Sequence, residues 1–69
     1  MKSKNPIPLA AMERVLKSAG AQRVSEEAKV QLRHVLEDIA MEISEEAIRL
    51  ANHAKRKTIK AEDIRLASQ

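Results

Sequence analysis

Between Ser25 and Ala54 the apolar residues recur three or four positions apart, and neither Gly nor Pro interrupts them. Leu32, Val35, Leu36, Ile39, Ile43, Ala47, Leu50, Ala51 and Ala54 share one helical stripe, with Ala28 and Ala40 on it as well. Ser25 suits an N-cap, and Glu26 and Glu27 suit the positive end of a helix dipole. A helix of about 30 residues at ~1.5 Å each would run roughly 45 Å, whereas a typical globular helix has about 11–12 residues. The remainder of a 69-residue chain cannot cover such a rod. The pattern therefore asks for a partner, most simply a second copy of the chain.

Two shorter apolar patterns flank the rod. Leu9, Met12, Val15, Leu16 and Ala19 form one face of a helix over residues 9–19, with Arg14 and Lys17 away from that face. Pro6 and Pro8 favour an extended entry, and Pro8 suits a first helical turn, where its missing N–H does no harm. Gly20, the only glycine, follows the last periodic residue and suits a helix C-terminus with positive φ. Residues 21–24 make a tight loop carrying Arg23. After the rod, Lys55 to Ile59 is too short for an independent strand, and Lys60 to Ala67 reads as a last helix. In that helix Ala61, Ile64 and either Ala67 or Leu66 face inward, and Glu62 and Asp63 lie near the start. Residues 1–7 are expected to form a short basic tail, disordered over Met1 to Asn5, and residues 8–69 a single all-α domain.

Composition narrows the function. No Cys is present, which removes disulfides and thiolate metal sites, and His34 and His53 alone cannot build a structural zinc site. A chain this small usually needs a disulfide, a metal or an oligomer, so oligomerisation remains. No apolar run reaches the ~18 residues of a membrane span, and no signal-peptide core is visible, so an intracellular protein is expected. The net charge is only +3, but it is segregated. Glu37, Asp38, Glu42, Glu45 and Glu46 form an acidic block, and Arg49, Lys55, Arg56, Lys57 and Lys60 form a basic one. Up to Arg23 the bases Lys2, Lys4, Arg14, Lys17 and Arg23 face a single acid, Glu13. Such blocks suit a polyanion on one surface. Aromatic residues are absent, which disfavours base stacking and points to a duplex backbone. No nucleophile–base grouping or glycine-rich phosphate loop can be assembled, so neither an enzyme, a cofactor nor a small-molecule substrate is expected.

Three segments carry a family resemblance: Lys17-Ser-Ala-Gly-Ala-Gln-Arg-Val-Ser25, Glu46-Ala-Ile-Arg-Leu-Ala-Asn-His-Ala54 and Arg56-Lys-Thr-Ile-Lys-Ala-Glu-Asp-Ile64. Together they resemble the histone fold, specifically the archaeal histones, over roughly Pro8 to Gln69 without a gap. The resemblance implies short helix, loop, long central helix, loop, short helix, and a head-to-tail handshake dimer whose long helices cross near their middles. It implies that Arg23 and Thr58 meet across paired loops and that Arg56 pairs with Asp63 within the chain. The implied function is an architectural chromatin protein that wraps, bends and compacts double-stranded DNA largely without sequence specificity, associated with the nucleoid in the cytoplasm.

The same resemblance distributes roles over the surface. Arg23, Lys57, Thr58 and Lys60 become loop-end DNA contacts, Arg14 and Lys17 central ones, and Ser25 marks a helix start that can bind phosphate. Arg14 and Arg23 are the candidates for the minor groove, whose negative potential attracts Arg. Leu50, His53, Asp63 and Leu66 match a dimer–dimer contact that builds tetramers or larger arrays. Gly20, His34, Asp38 and Arg65 occupy positions at which stacked turns of a wrapped rod approach; Arg65 is basic where members with that clamp often carry an acid, and Gln69 is uncharged. Lys55 stands where a small residue is frequent. The partner in the dimer is either the chain itself or a paralogue. The competing reading is a histone-fold interaction module of a transcription complex acting as a heterodimer. The bases of the two loops favour DNA.

Overall fold

The computed structural model describes residues 7–69 and contains three helices in chain order. They are α1 (Leu9–Ser18), α2 (Glu26–His53) and α3 (Ala61–Ala67), and no strand occurs among the described residues. Of the tail expected over residues 1–7, only Ile7 lies within the described residues. None of the three helices is long and apolar enough to cross a membrane. Residues up to Glu37 form one compact unit and residues from Asp38 onward a second, with α2 running through both.

In the first unit, sequence chemistry sets the helix ends. Pro8 stands outside α1 as its N-cap, one step before the first-turn position expected for it. Its φ of −67° and ψ of 145° are extended, and its carbonyl accepts the Ala11 N–H at 3.2 Å. At the other end the Ala21 N–H reaches the Leu16 carbonyl and the Gly20 N–H the Lys17 carbonyl, both at 3.0 Å. These two bonds satisfy carbonyls that the last turn would leave open, and they require a left-handed residue between them. Gly20 supplies it with φ +115°. Ser25 then caps α2, its hydroxyl accepting the Ala28 N–H at 3.0 Å. Met12 of α1 is buried, and Glu13 of α1 meets Lys29 of α2 at 3.4 Å.

In the second unit the small residues Ala47 and Ala51 are the buried part of α2. Its end repeats the chemistry of α1: the Arg56 N–H bonds the Ala51 carbonyl and the Lys55 N–H the Asn52 carbonyl, both at 2.9 Å. The left-handed residue here is Lys55, with φ +62°. Residues 57–60 have no regular structure, and Lys60 is the N-cap of α3.

Neither unit encloses a core of ordinary size. Among the described residues only Met12, Ala47 and Ala51 are buried and apolar. Val15, Val35, Ile39, Met41, Ile48, Ile59, Ile64 and Leu66 are 41–60% exposed. Fully burying one such side chain contributes about 1.5–3 kcal/mol, so these residues, Val35 and Ile39 of the α2 stripe among them, have yet to be covered.

Two substitutions test the helix ends. Gly20→Ala has open space for its methyl group but must hold a positive φ, and is expected to destabilise by about 1–2 kcal/mol. Ser25→Ala removes the cap and is expected to cost about 1 kcal/mol. Urea denaturation followed by far-UV circular dichroism, with an unchanged m-value, reads both.

Candidate nucleic-acid interface

Three bases of the first unit lie on α1 and in the loop after it. Arg14, Lys17 and Arg23 are all exposed. Lys17 has a loose contact to Glu13 at 3.8 Å, four residues away; such an exposed pair adds little stability and is screened by salt. Arg14 and Arg23 have no acidic partner among the described residues. Arg23 borders an open depression that it lines with Leu16, Ala21, Val24, Ser25 and Ala28. That depression contains the start of α2, where Ser25 has spent its hydroxyl on Ala28. Lys29, by contrast, is held by both Glu26 and Glu13. The Glu26 hydrogen bond, with help from Glu13, raises its pKa. Lys29 is therefore a structural cation, while Arg14 and Arg23 are available to a ligand.

The second unit is organised by Arg56 and Asp63. The Arg56 guanidinium grips the carboxylate with both arms, Nη1 to Oδ2 at 3.0 Å and Nη2 to Oδ1 at 2.9 Å. Nη1 also donates to the Thr58 carbonyl at 3.2 Å, which folds the loop over the pair. Asp63 Oδ2 accepts the Lys60 backbone N–H at 2.8 Å and so closes the start of α3. Paired in this way, Asp63 is 2% exposed, a carboxylate inside a chain with almost no core. The Arg56 hydrogen bonds first, and the Lys60 N–H second, lower its pKa from 3.8 to about 2.

The consequence for the loop is a division of labour. Arg56 is committed to Asp63 and Thr58, whereas Lys55, Lys57 and Lys60 are exposed and pair with no acid among the described residues. Thr58 is exposed as well. Of the remaining positions singled out above, Leu50 is half-buried and His53, Arg65 and Leu66 are exposed in this unit. Asp38 is exposed there too, and His34 is exposed in the first unit. Asp63 is 2% exposed and accepts three hydrogen bonds, two at Oδ2 and one at Oδ1, so its spare accepting capacity is at Oδ1.

Three features were not singled out in the sequence. The Glu13–Lys29 pair joins residues sixteen positions apart, and no local spacing announces it. The bond from Lys60 N–H to Asp63 has a signal, since an acid at the third helical position often reaches back to the N-cap. The left-handed Lys55 has only an indirect signal, the small residue that is frequent at its position, since glycine usually marks such a conformation.

A short helix, a long one and a short one, with loops rich in free cations, define a histone-like chain. The chain belongs to the family of histone-like transcription factors (CBF/NF-Y) and archaeal histones, which matches residues 5–67. It is 52% identical over 61 residues to probable archaeal histone 3 of Methanocaldococcus jannaschii, covering 88% of this chain and 91% of that one. It is 49% identical over 61 residues to one of the subunits of archaeal histone HAN1 from Thermococcus zilligii, with the same 88% and 91% covered.

The Arg56–Asp63 pair makes stability depend on acid. A carboxylate whose pKa is lowered on folding contributes stability that is complete above 3.8 and is lost as pH falls toward about 2. In Asp63→Asn the amide can still accept the Lys60 N–H but cannot match the charge of Arg56. This variant should have a lower melting temperature at neutral pH, and the gap to the parent chain should close between pH 4 and pH 2, as thermal melts would show.

Proposed function

We propose that the chain forms a handshake dimer and binds, bends and compacts duplex DNA with little regard to sequence. The observation that carries this reading is the state of the two loops. Arg23 in the first, and Lys57 and Lys60 in the second, are exposed and free of acids, while the cation needed for folding, Arg56, is a different residue. Phosphate contacts from free cations are insensitive to base identity. Kinship with proteins named archaeal histones supports the same assignment.

The dimer follows from the uncovered apolar residues. Val35 and Ile39 lie near the middle of α2, and Ile48, Ile59 and Ile64 lie further along the chain. A second long helix crossing the first would cover the middle, and each chain's first loop would lie beside its partner's second. Arg23 and Thr58 would then meet at each end, over the depression that Arg23 borders. Arg14 and Lys17 would form a central contact between two such ends. Arg14 and Arg23 enter the minor groove, where a narrow width concentrates negative potential. The Ser25 end of α2 adds backbone N–H groups for phosphate.

Further assembly uses Leu50, His53 and Leu66, with the unused capacity of Asp63 Oδ1 as the acceptor for a neighbour's His53. Gly20, His34, Asp38 and Arg65 are the candidates where successive turns of DNA-bound dimers approach. The partner is a second copy or a paralogue; the paralogue draws support from the HAN1 relative, whose name describes one component of a larger assembly. A nucleoid-associated protein without catalytic activity is the outcome.

Binding of the purified chain to a mixed-sequence duplex across a salt series tests the reading. Affinity should fall steeply and log-linearly with salt and vary little with sequence. Arg14→Ala and Arg23→Ala should each weaken all sequences alike and reduce the slope by about one per cation removed. Analytical ultracentrifugation should give a dimer before DNA is added. A stable dimer that ignores duplex even at low salt would assign the chain instead to the protein-interaction side of its family.

A further inference from the structure

We propose that Lys55 is a phosphate contact of the second loop, and that its charge is kept there against the conformational preference of the backbone. The inference rests on the duplex-binding reading above and adds to it a residue and a reason. Lys55 occupies the left-handed position that ends α2, with φ +62°. Its N–H bonds the Asn52 carbonyl and the next N–H bonds the Ala51 carbonyl, both at 2.9 Å, so this conformation is required by the helix end. Glycine fits that position without strain, and a side chain makes it unfavourable. The chain uses glycine for the identical task at Gly20, where φ is +115°.

The local contacts offer Lys55 no compensation. It is exposed, and it forms no ion pair and no side-chain hydrogen bond among the described residues. A cation near the end of a helix interacts favourably with the dipole, but at an exposed site this is worth only about 0.3–1 kcal/mol. The neighbouring Arg56 cannot serve a ligand, because its guanidinium is divided between Asp63 and the Thr58 carbonyl. Removing Arg56 from the count leaves Lys55, Lys57 and Lys60 as the free cations of this segment. Lys55 shares a fixed backbone with Lys60 and not with Lys57: the two bonds of the helix end hold the Lys55 Cα and the start of α3 holds Lys60, whereas Lys57 lies in irregular structure. A charge on a rigid base loses less freedom when it meets a phosphate.

The test uses the full chain, with Lys55→Gly, Lys55→Gln and Lys55→Arg. The probe is a mixed-sequence duplex, titrated across a salt series, alongside thermal melts of the free protein. Lys55→Gly should raise the melting temperature and weaken DNA binding, moving the two readouts in opposite directions. Lys55→Gln should weaken binding to the same degree without the gain in stability, and Lys55→Arg should bind as the parent does. Each lost contact should make the slope of log affinity against log salt shallower by about 0.9, so by about two for a dimer presenting two such loops. If Lys55→Gly and Lys55→Gln keep the parent's affinity and slope while the parent binds DNA with steep salt dependence, the inference fails and the duplex reading stands. If the parent chain binds no duplex at low salt, both fall together.

Discussion

The length of α2 is the constraint on which the other features depend. It has 28 residues, more than α1 and α3 contribute together. A helix of that length presents an apolar stripe that its own chain leaves in part uncovered, as the exposure of Val35 and Ile39 shows. Hydrophobic burial is the main favourable term in folding, so a chain built on such a rod folds securely only when something else lies against it. The proposed pairwise handshake would answer that need.

Those ends are held by unusually complete local chemistry. Ser25 caps α2, and a paired set of carbonyl bonds closes both α1 and α2. Asp63 does three things at once: it neutralises Arg56, accepts from Lys60 and, through Arg56, anchors the Thr58 carbonyl. With so little core, the shape of the second loop depends on that carboxylate. Burying a charge is unfavourable unless it is paired and hydrogen-bonded, and here both conditions are met. The commitment of Arg56 to structure leaves the surface charge of the loop to lysines.

Much of this was legible in the letters. An uninterrupted three-and-four spacing marked α2, and Ser25 and Gly20 marked ends that the structure places within one residue of expectation. Pro8 was displaced by one position because its extended ψ puts it outside the helix. The distribution of exposure was less legible. Periodicity assigns Val15, Ile39 and Leu66 to apolar faces but does not say that these faces lack cover within the chain. Charge patterning gives no warning that Asp63 is interior, since an acid in a first helical turn is ordinarily explained by the dipole alone. Its burial comes from a partner seven positions earlier, beyond the reach of helical spacing. The free loop cations were visible as a cluster, and only the family resemblance, not charge patterning, set Arg56 apart from them as the partner of Asp63.

The short third helix has a consequence for the order in which the molecule opens. A helix of 7 residues is far below the ~12–15 at which isolated helices become even marginal in water. Its backbone bonds survive because Asp63 fastens its first turn to Arg56, just past the end of α2. Breaking that one clasp releases the first turn of α3 and the Thr58 carbonyl together. α3 and the loop before it are therefore expected to open as a single unit, their amides exchanging with solvent through one shared opening rather than residue by residue.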